Sequence, residues 1–131
     1  MVNKVFLIGR VGKDPSVRFT QGGTAVAQFS LATSEHFKKK DGSKEEQTQW
    51  HQIVAWGKLG EICGEYLIKG SLVSIIGKVT YRTYEDKNKE KKYITEIVAN
   101  EMQILKDGKP KEQQQPQPNA APPAGEDDIP F

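Results

Sequence analysis

Residues 57–69 are the one stretch of this 131-residue chain whose apolar side chains recur at helical spacing, at Leu59, Ile62, Cys63, Tyr66 and Leu67. Gly70 follows in the position expected just past a helix end. Elsewhere up to residue 105 the apolar residues come in short runs or alternate with period two, as strands require. One helix among several strands is a severe constraint. Mixed layouts of the ferredoxin-like kind need a second helix, and the chain offers none.

The strand candidates follow in order. Residues 3–10 (NKVFLIGR) are a short apolar run, and residues 11–15 hold loop chemistry at Gly12 and Asp14-Pro15. Residues 16–20 make a short strand that ends in the turn Gln21-Gly22-Gly23. Residues 24–34 put Ala25, Ala27, Phe29 and Leu31 on one face, small side chains that suit a sharply curved sheet. Residues 36–46 carry Asp41-Gly42 at their centre, the strongest short hairpin signal in the chain. A strand rich in Trp, Ile and Val occupies the run from Glu46 up to the helix. Beyond the helix, residues 72–83 read as a strand, 84–92 as a charged loop and 93–105 as the last strand. Five long strands interrupted once by a helix is the order of the OB-fold, a small partly open Greek-key barrel. The expectation is therefore an all-β, five-stranded barrel with one short helix between strands 3 and 4.

After Leu105 the composition changes. Residues 107–131 hold six of the seven prolines and no large apolar residue before Ile129. Such a segment buries too little to offset its chain entropy, so it is expected to stay disordered. The chain divides into a body (1–106), a Pro/Gln-rich linker (107–125) and an acidic tip (126–131). Charge divides with it. The body carries 17 Lys/Arg against 12 Asp/Glu, and residues 107–131 carry 2 against 5. A polyanion is the natural partner for the body, and something different for the tail.

Several classes fall away. The single cysteine, Cys63, rules out an internal disulfide framework and a cysteine-rich zinc site, and it reads as core. No 18-residue apolar run or cleavable leader pattern stands out, so neither membrane spanning nor secretion is expected. Gly9-Arg10-Val11-Gly12-Lys13 faintly resembles a phosphate loop, but the Walker spacing and a Ser/Thr after the Lys are missing. His36 and His51 lack partners at metal-ligand spacing. No enzyme, metal or cofactor is expected.

Binding is better supported. In the strand before the helix, Thr48, Trp50, Gln52, Val54 and Trp56 share one face, and Gln49, His51, Ile53 and Ala55 share the other. Tryptophan is usually well buried, so both indoles could be core. The alternative is a platform on which flat ligands stack. Basic residues interleave with aromatics in three places: Phe37 with Lys38–Lys40 and Lys44, Trp56 with Lys58, and Tyr81, Arg82 and Tyr84 with Lys87–Lys92. Cationic grooves with aromatic rings are what single-stranded nucleic acids require.

The chain closely resembles bacterial single-stranded DNA-binding proteins of the homotetrameric type, with one OB-fold per subunit. The matching segments are Asn3-Lys4-Val5, Gly9-Arg10, Asp14-Pro15, Val17-Arg18, Leu31-Ala32-Thr33-Ser34-Glu35 and Gln47-Thr48-Gln49-Trp50-His51. They continue with Trp56-Gly57-Lys58-Leu59, Glu65-Tyr66-Leu67, Lys69-Gly70 and the tip Asp127-Asp128-Ile129-Pro130-Phe131. The resemblance implies base stacking at Phe37, Trp50, Trp56 and Tyr84, with Phe and Tyr standing where the family often has Trp. It implies phosphate contacts at Lys4, Lys40, Lys58, Lys69 and Arg82; Gln52 stands where some members carry Arg. His51 falls at a subunit-interface position, on the face opposite the indoles. Asp127, Asp128, Ile129, Pro130 and Phe131 match a docking peptide for replication, recombination and repair proteins. Such a tip, tethered near the basic groove, is also expected to compete weakly with DNA. A cytoplasmic, nucleoid-associated homotetramer is the implied setting. An RNA-binding OB protein and a protein-interaction adaptor are the other readings, since no residue plainly reads or excludes a 2′-hydroxyl.

Overall fold

The computed structural model of the protein describes residues 1–108. Its elements are β1 (Val5–Val11), β2 (Ser16–Phe19), β3 (Ala25–Lys38), β4 (Lys44–Trp56), α1 (Gly57–Tyr66), β5 (Leu72–Glu85) and β6 (Lys91–Lys106). The sheet runs β1-β5-β6-β4-β3-β2, and a β1–β3 pairing at Arg10↔Ala32 and Val11↔Leu31 closes five of the strands into a barrel. Every pairing is antiparallel except β4–β6, where Ile53↔Ile97 and Val54↔Val98 run parallel. This is the expected OB-fold, with the four-residue β2 added along β3.

Alternation builds the core. Ala25, Ala27, Phe29 and Leu31 from β3 are all buried, as are Ile53 and Ala55 from β4 and Val73 and Ile75 from β5. Helix α1 supplies Cys63, and the turn after it Leu67. Val54 departs from the expected pattern. It belongs to the Trp face yet is 4% exposed, with Val98 of β6 beside it.

The helix ends earlier than its apolar stripe implied. Leu67 already has extended dihedrals, φ −90° and ψ 139°, and is buried, while Tyr66 points outward. Gly70 is not the helix's left-handed cap. It sits at φ 92° in a separate turn in which the Ser71 N–H donates to the Ile68 carbonyl at 3.0 Å.

The hairpin at 36–46 and the expected charged loop at 84–92 are mostly strand. The β3–β4 pairing continues in unbroken register to Lys38↔Lys44, and β5–β6 from Gly77↔Ala99 to Glu85↔Lys91, so two ribbons project beyond the barrel. Three hairpins turn in the same way, starting at Thr20, Lys39 and Asp86. In each, the residue three positions on donates its N–H to the first carbonyl and takes a left-handed φ: Gly23 at 90°, Gly42 at 92° and Lys89 at 64°. This is the three-residue hairpin loop rather than the two-residue one. The expected linker from residue 109 onward, and the tip, lie outside the described residues.

Burial also fixes the chemistry of Cys63, whose thiol is pushed up to about 11 by desolvation. A buried thiol that holds its proton is a poor nucleophile. Iodoacetamide at pH 8 is expected to leave Cys63 unmodified in the folded protein and to alkylate it fully in denaturant. Rapid labelling without denaturant would contradict its place in the core.

Candidate nucleic-acid interface

Residues directly opposite one another in adjacent strands share a face, so the registers define one continuous outer surface. Trp50 pairs with Ala32 and Trp56 with Val26, while Val54 lies beside Val98 on β6. Along β5 and β6 the same face carries Thr80↔Glu96, Arg82↔Ile94 and Tyr84↔Lys92. Trp50 is 59% exposed, Trp56 50% and Tyr84 47%. Three of the four aromatic residues assigned to stacking are therefore exposed on one surface. The fourth is not with them: Phe37 pairs with Glu45, on the opposite face of the β3–β4 ribbon. It is exposed there, on the side that also carries His51.

The structure explains why the Trp50 ring can lie where it does. Gly12 follows β1, and its N–H donates to the Ser30 carbonyl at 2.9 Å. A Cβ at Gly12 would sit 2.6 Å from the Trp50 ring and 2.7 Å from the Ser30 hydroxyl. The glycine that faintly suggested a phosphate loop is a seat for an indole. Gly12→Ala is expected to shift the tryptophan emission and weaken oligo-dT binding up to about tenfold, as a partly lost stack would. Its unfolding midpoint should stay near wild type; unchanged emission and affinity would contradict the seat.

The lysines assigned to phosphates, Lys4, Lys40, Lys58 and Lys69, are all exposed, and Gln52 is exposed between the indoles. Asn3 clamps the start of the chain to β5, donating to the Val79 carbonyl at 2.9 Å and accepting from its N–H at 3.1 Å, which fixes Lys4 beside it. Lys69 is held through its backbone N–H, which donates to Asp14 Oδ1 at 2.8 Å. Lys58 lies in the first turn of α1, directly after Trp56. Among the described residues no side chain caps that helix start.

Arg82 differs from the lysines. Its Nε and Nη2 each donate to a separate oxygen of Glu96, both at 3.0 Å, in a two-pronged ion pair. Those hydrogen bonds and the carboxylate charge hold the Arg82 pKa above its ordinary value. Glu96 is 7% exposed, so this partner belongs to the sheet itself. The pair lies in a groove of about 630 Å³ between β2 and the base of the β5–β6 ribbon, lined also by Arg18, Phe19, Val54, Trp56, Tyr81 and Val98. Sequence reasoning passed over Arg18, Phe19 and Glu96, because nothing in one dimension marks them as neighbours of Trp56.

On the other side of the β3–β4 ribbon, His51 Nε2 is 2.9 Å from the Thr33 hydroxyl. It lines a smaller pocket with Phe6 and Ile8, which are 69% and 63% exposed on the outer face of β1. Among the described residues no group of three His, Cys, Asp or Glu could hold a metal ion, and no helix is long and apolar enough to cross a membrane. The docking residues Asp127, Asp128, Ile129, Pro130 and Phe131 lie outside the described residues.

Known proteins resemble both the sequence and the fold. A sequence model of the Single-strand binding protein family matches residues 2–105. The single-stranded DNA-binding protein of Xanthomonas axonopodis pv. citri (strain 306) is 50% identical over 104 residues, which cover 79% of this chain and 58% of that one. Single-stranded DNA-binding protein 1 of Chlorobaculum tepidum is 52% identical over 105 residues, covering 79% of this chain and 65% of that one. The matches thus span less than two thirds of these relatives' length. Among solved structures, the Plasmodium falciparum SSB in complex with ssDNA superposes with a TM-score of 0.74 at 34% identity, covering 80% of this chain and 96% of that one. A deletion mutant of the Thermus aquaticus single-stranded DNA binding protein gives 0.70 at 30% identity, covering 80% and 51%. On the strength of the family match across residues 2–105, the chain belongs to the Single-strand binding protein family.

Proposed function

We propose that this protein binds single-stranded DNA without strong sequence preference and without catalysis. Bases stack on Trp50, Trp56 and Tyr84, and the backbone meets Lys4, Lys40, Lys58 and Lys69. The observation that carries the reading is that two tryptophans, a residue type normally buried, stand half exposed on one face of the barrel. Phe37 takes part where the strand passes round the ribbon to its other face. Arg82, the fifth cation that the resemblance implies, joins them from its ion pair with Glu96.

The remaining proposals concern partners. A homotetramer would cover the exposed Phe6 and Ile8, with His51 at the same junction. The acidic tip would recruit replication, recombination and repair proteins in the cytoplasm, since its Ile, Phe and acidic side chains suit a basic, pocketed surface.

Tryptophan fluorescence titrated with oligo-dT, duplex DNA and oligo-U at two salt concentrations tests the central reading. Strong quenching by oligo-dT, little by duplex and a log–log salt slope of about 0.7 per neutralised phosphate are expected. Equal or stronger quenching by oligo-U would favour the RNA reading. No quenching by any strand would move the function to the adaptor.

A further inference from the structure

We propose that Arg10 is a further phosphate contact, which carries a single strand from Trp50 across the seam between β1 and β3 toward Lys69. The proposal rests on the single-stranded DNA reading and says where the strand goes when it leaves that indole.

Register puts Arg10 beside Trp50. Arg10 pairs with Ala32 where the barrel closes, and Ala32 pairs with Trp50, so the three share the outer face. Two strand spacings of about 4.8 Å set the backbones of Arg10 and Trp50 roughly 10 Å apart. Only the Ala32 methyl stands between them, too short to part the two longer side chains. The indole itself leans to this side, since a Cβ at Gly12 would stand 2.6 Å from its ring. Gly12 is two residues beyond Arg10, where alternation gives it the same face.

The other end of the track is Lys69. Arg10 is exposed, and its Nη1 donates to the carbonyl of Gly70, the next residue after Lys69, at 2.8 Å. That turn is stapled to β1: the Gly70 N–H donates to the Val11 carbonyl at 2.8 Å and the Val11 N–H to the Ser71 carbonyl at 2.9 Å. A neutral acceptor leaves the guanidinium its full charge, whereas Arg82 shares its charge with a carboxylate. Among the described residues no carboxylate pairs with Arg10. Asp14, the acid in the adjoining loop, accepts the Lys69 N–H instead. Nε and Nη2 of Arg10 remain side by side on the free edge, the fork that suits two oxygens of a phosphodiester. The segment that imitates a phosphate loop therefore meets phosphate through a side chain rather than through loop amides.

The test uses the full chain, an oligo-dT labelled for anisotropy, urea unfolding and sedimentation velocity. Arg10→Gln removes the charge, and Arg10→Lys keeps it. Arg10→Gln is expected to lower the log–log salt slope by about 0.7, so its loss of affinity should shrink about 2.5-fold between about 50 and about 200 mM salt. Arg10→Lys should keep the wild-type slope, and both variants should sediment as wild type. A merely structural role would lower the urea midpoint of both variants and leave both slopes alone. An unchanged slope in Arg10→Gln, with Lys58→Ala lowering its own, would overturn the contact and leave the parent reading standing. Ile8 lies two residues before Arg10 on the same face, so a slope lost together with a smaller sedimenting species would overturn the contact in favour of a subunit edge. If the wild-type chain binds no oligo-dT at either salt, the contact and the parent reading fail together.

Discussion

Replacing Trp50 and Trp56 together by Ala is expected to lower the affinity for oligo-dT by about 30-fold to 10⁴-fold, two stacks at about 1–3 kcal/mol each. The two losses are expected to add. Six residues along β4 separate the rings by roughly 20 Å, at about 3.3 Å per residue. That is well beyond the distance at which substitutions couple. Stability should change little, because both side chains are at least half exposed and their cross-strand neighbours are Ala32 and Val26. The variant has no tryptophan left, so anisotropy of a labelled strand is the measurement. The salt slope is the internal control: losing stacks leaves it unchanged, whereas Lys40→Ala or Lys58→Ala should reduce it by about 0.7 each. Wild-type affinity in the double variant would mean that the indoles serve a different partner.

What the sequence revealed was whatever depends on period. In β3, small apolar residues at every second position announced an inward face, and each of them is buried. The same alternation separates Trp50 and Trp56 from Ile53 and Ala55. One change of period marked the only helix among the described residues, and its place among the strands was enough to give the barrel order.

What escaped was whatever depends on neighbours from another strand. The outer arms of β3 and β5 are exposed on both sides, so they lack the apolar alternation that marks a strand, and the β5 arm reads as part of a charged loop. Asp41-Gly42 announced its hairpin because a glycine holds the left-handed position. The matching position in the β5–β6 hairpin is Lys89, which gives no such signal. Phe37 shows a different limit. A resemblance carries over a residue's identity but not its face, and only the register to Glu45 places it opposite Trp50. Glu96 in the run Tyr93-Ile94-Thr95-Glu96 reads as one more charged strand residue until the sheet brings Arg82 against it.

The glycines of the same phosphate-loop lookalike supply the largest expected change in stability. A Cβ at Gly9 would stand 2.2 Å from the Ala32 carbonyl oxygen, at the seam where β1 closes onto β3. Neither strand can retreat. β1 is held on its other edge by β5 through Gly9↔Val73, and β3 is held by β4 through Ala32↔Trp50. The obstacle is backbone rather than a flexible side chain, so Gly9→Ala is expected to cost about 3 kcal/mol or more, at the upper end for overpacking. Against a total of roughly 5–15 kcal/mol for a domain, that is a large drop in the urea midpoint. Gly22→Ala, with nothing within 4 Å of its Cβ, is the matched control and should leave the midpoint unmoved. Because Ala32 is the cross-strand neighbour of Trp50, forcing the seam apart also shifts the platform. Gly9→Ala is thus expected to lose stability and DNA affinity together, whereas Gly12→Ala loses affinity alone. A wild-type midpoint in Gly9→Ala would mean that β1 and β3 are not held this closely in solution, and the barrel would then be open along that seam.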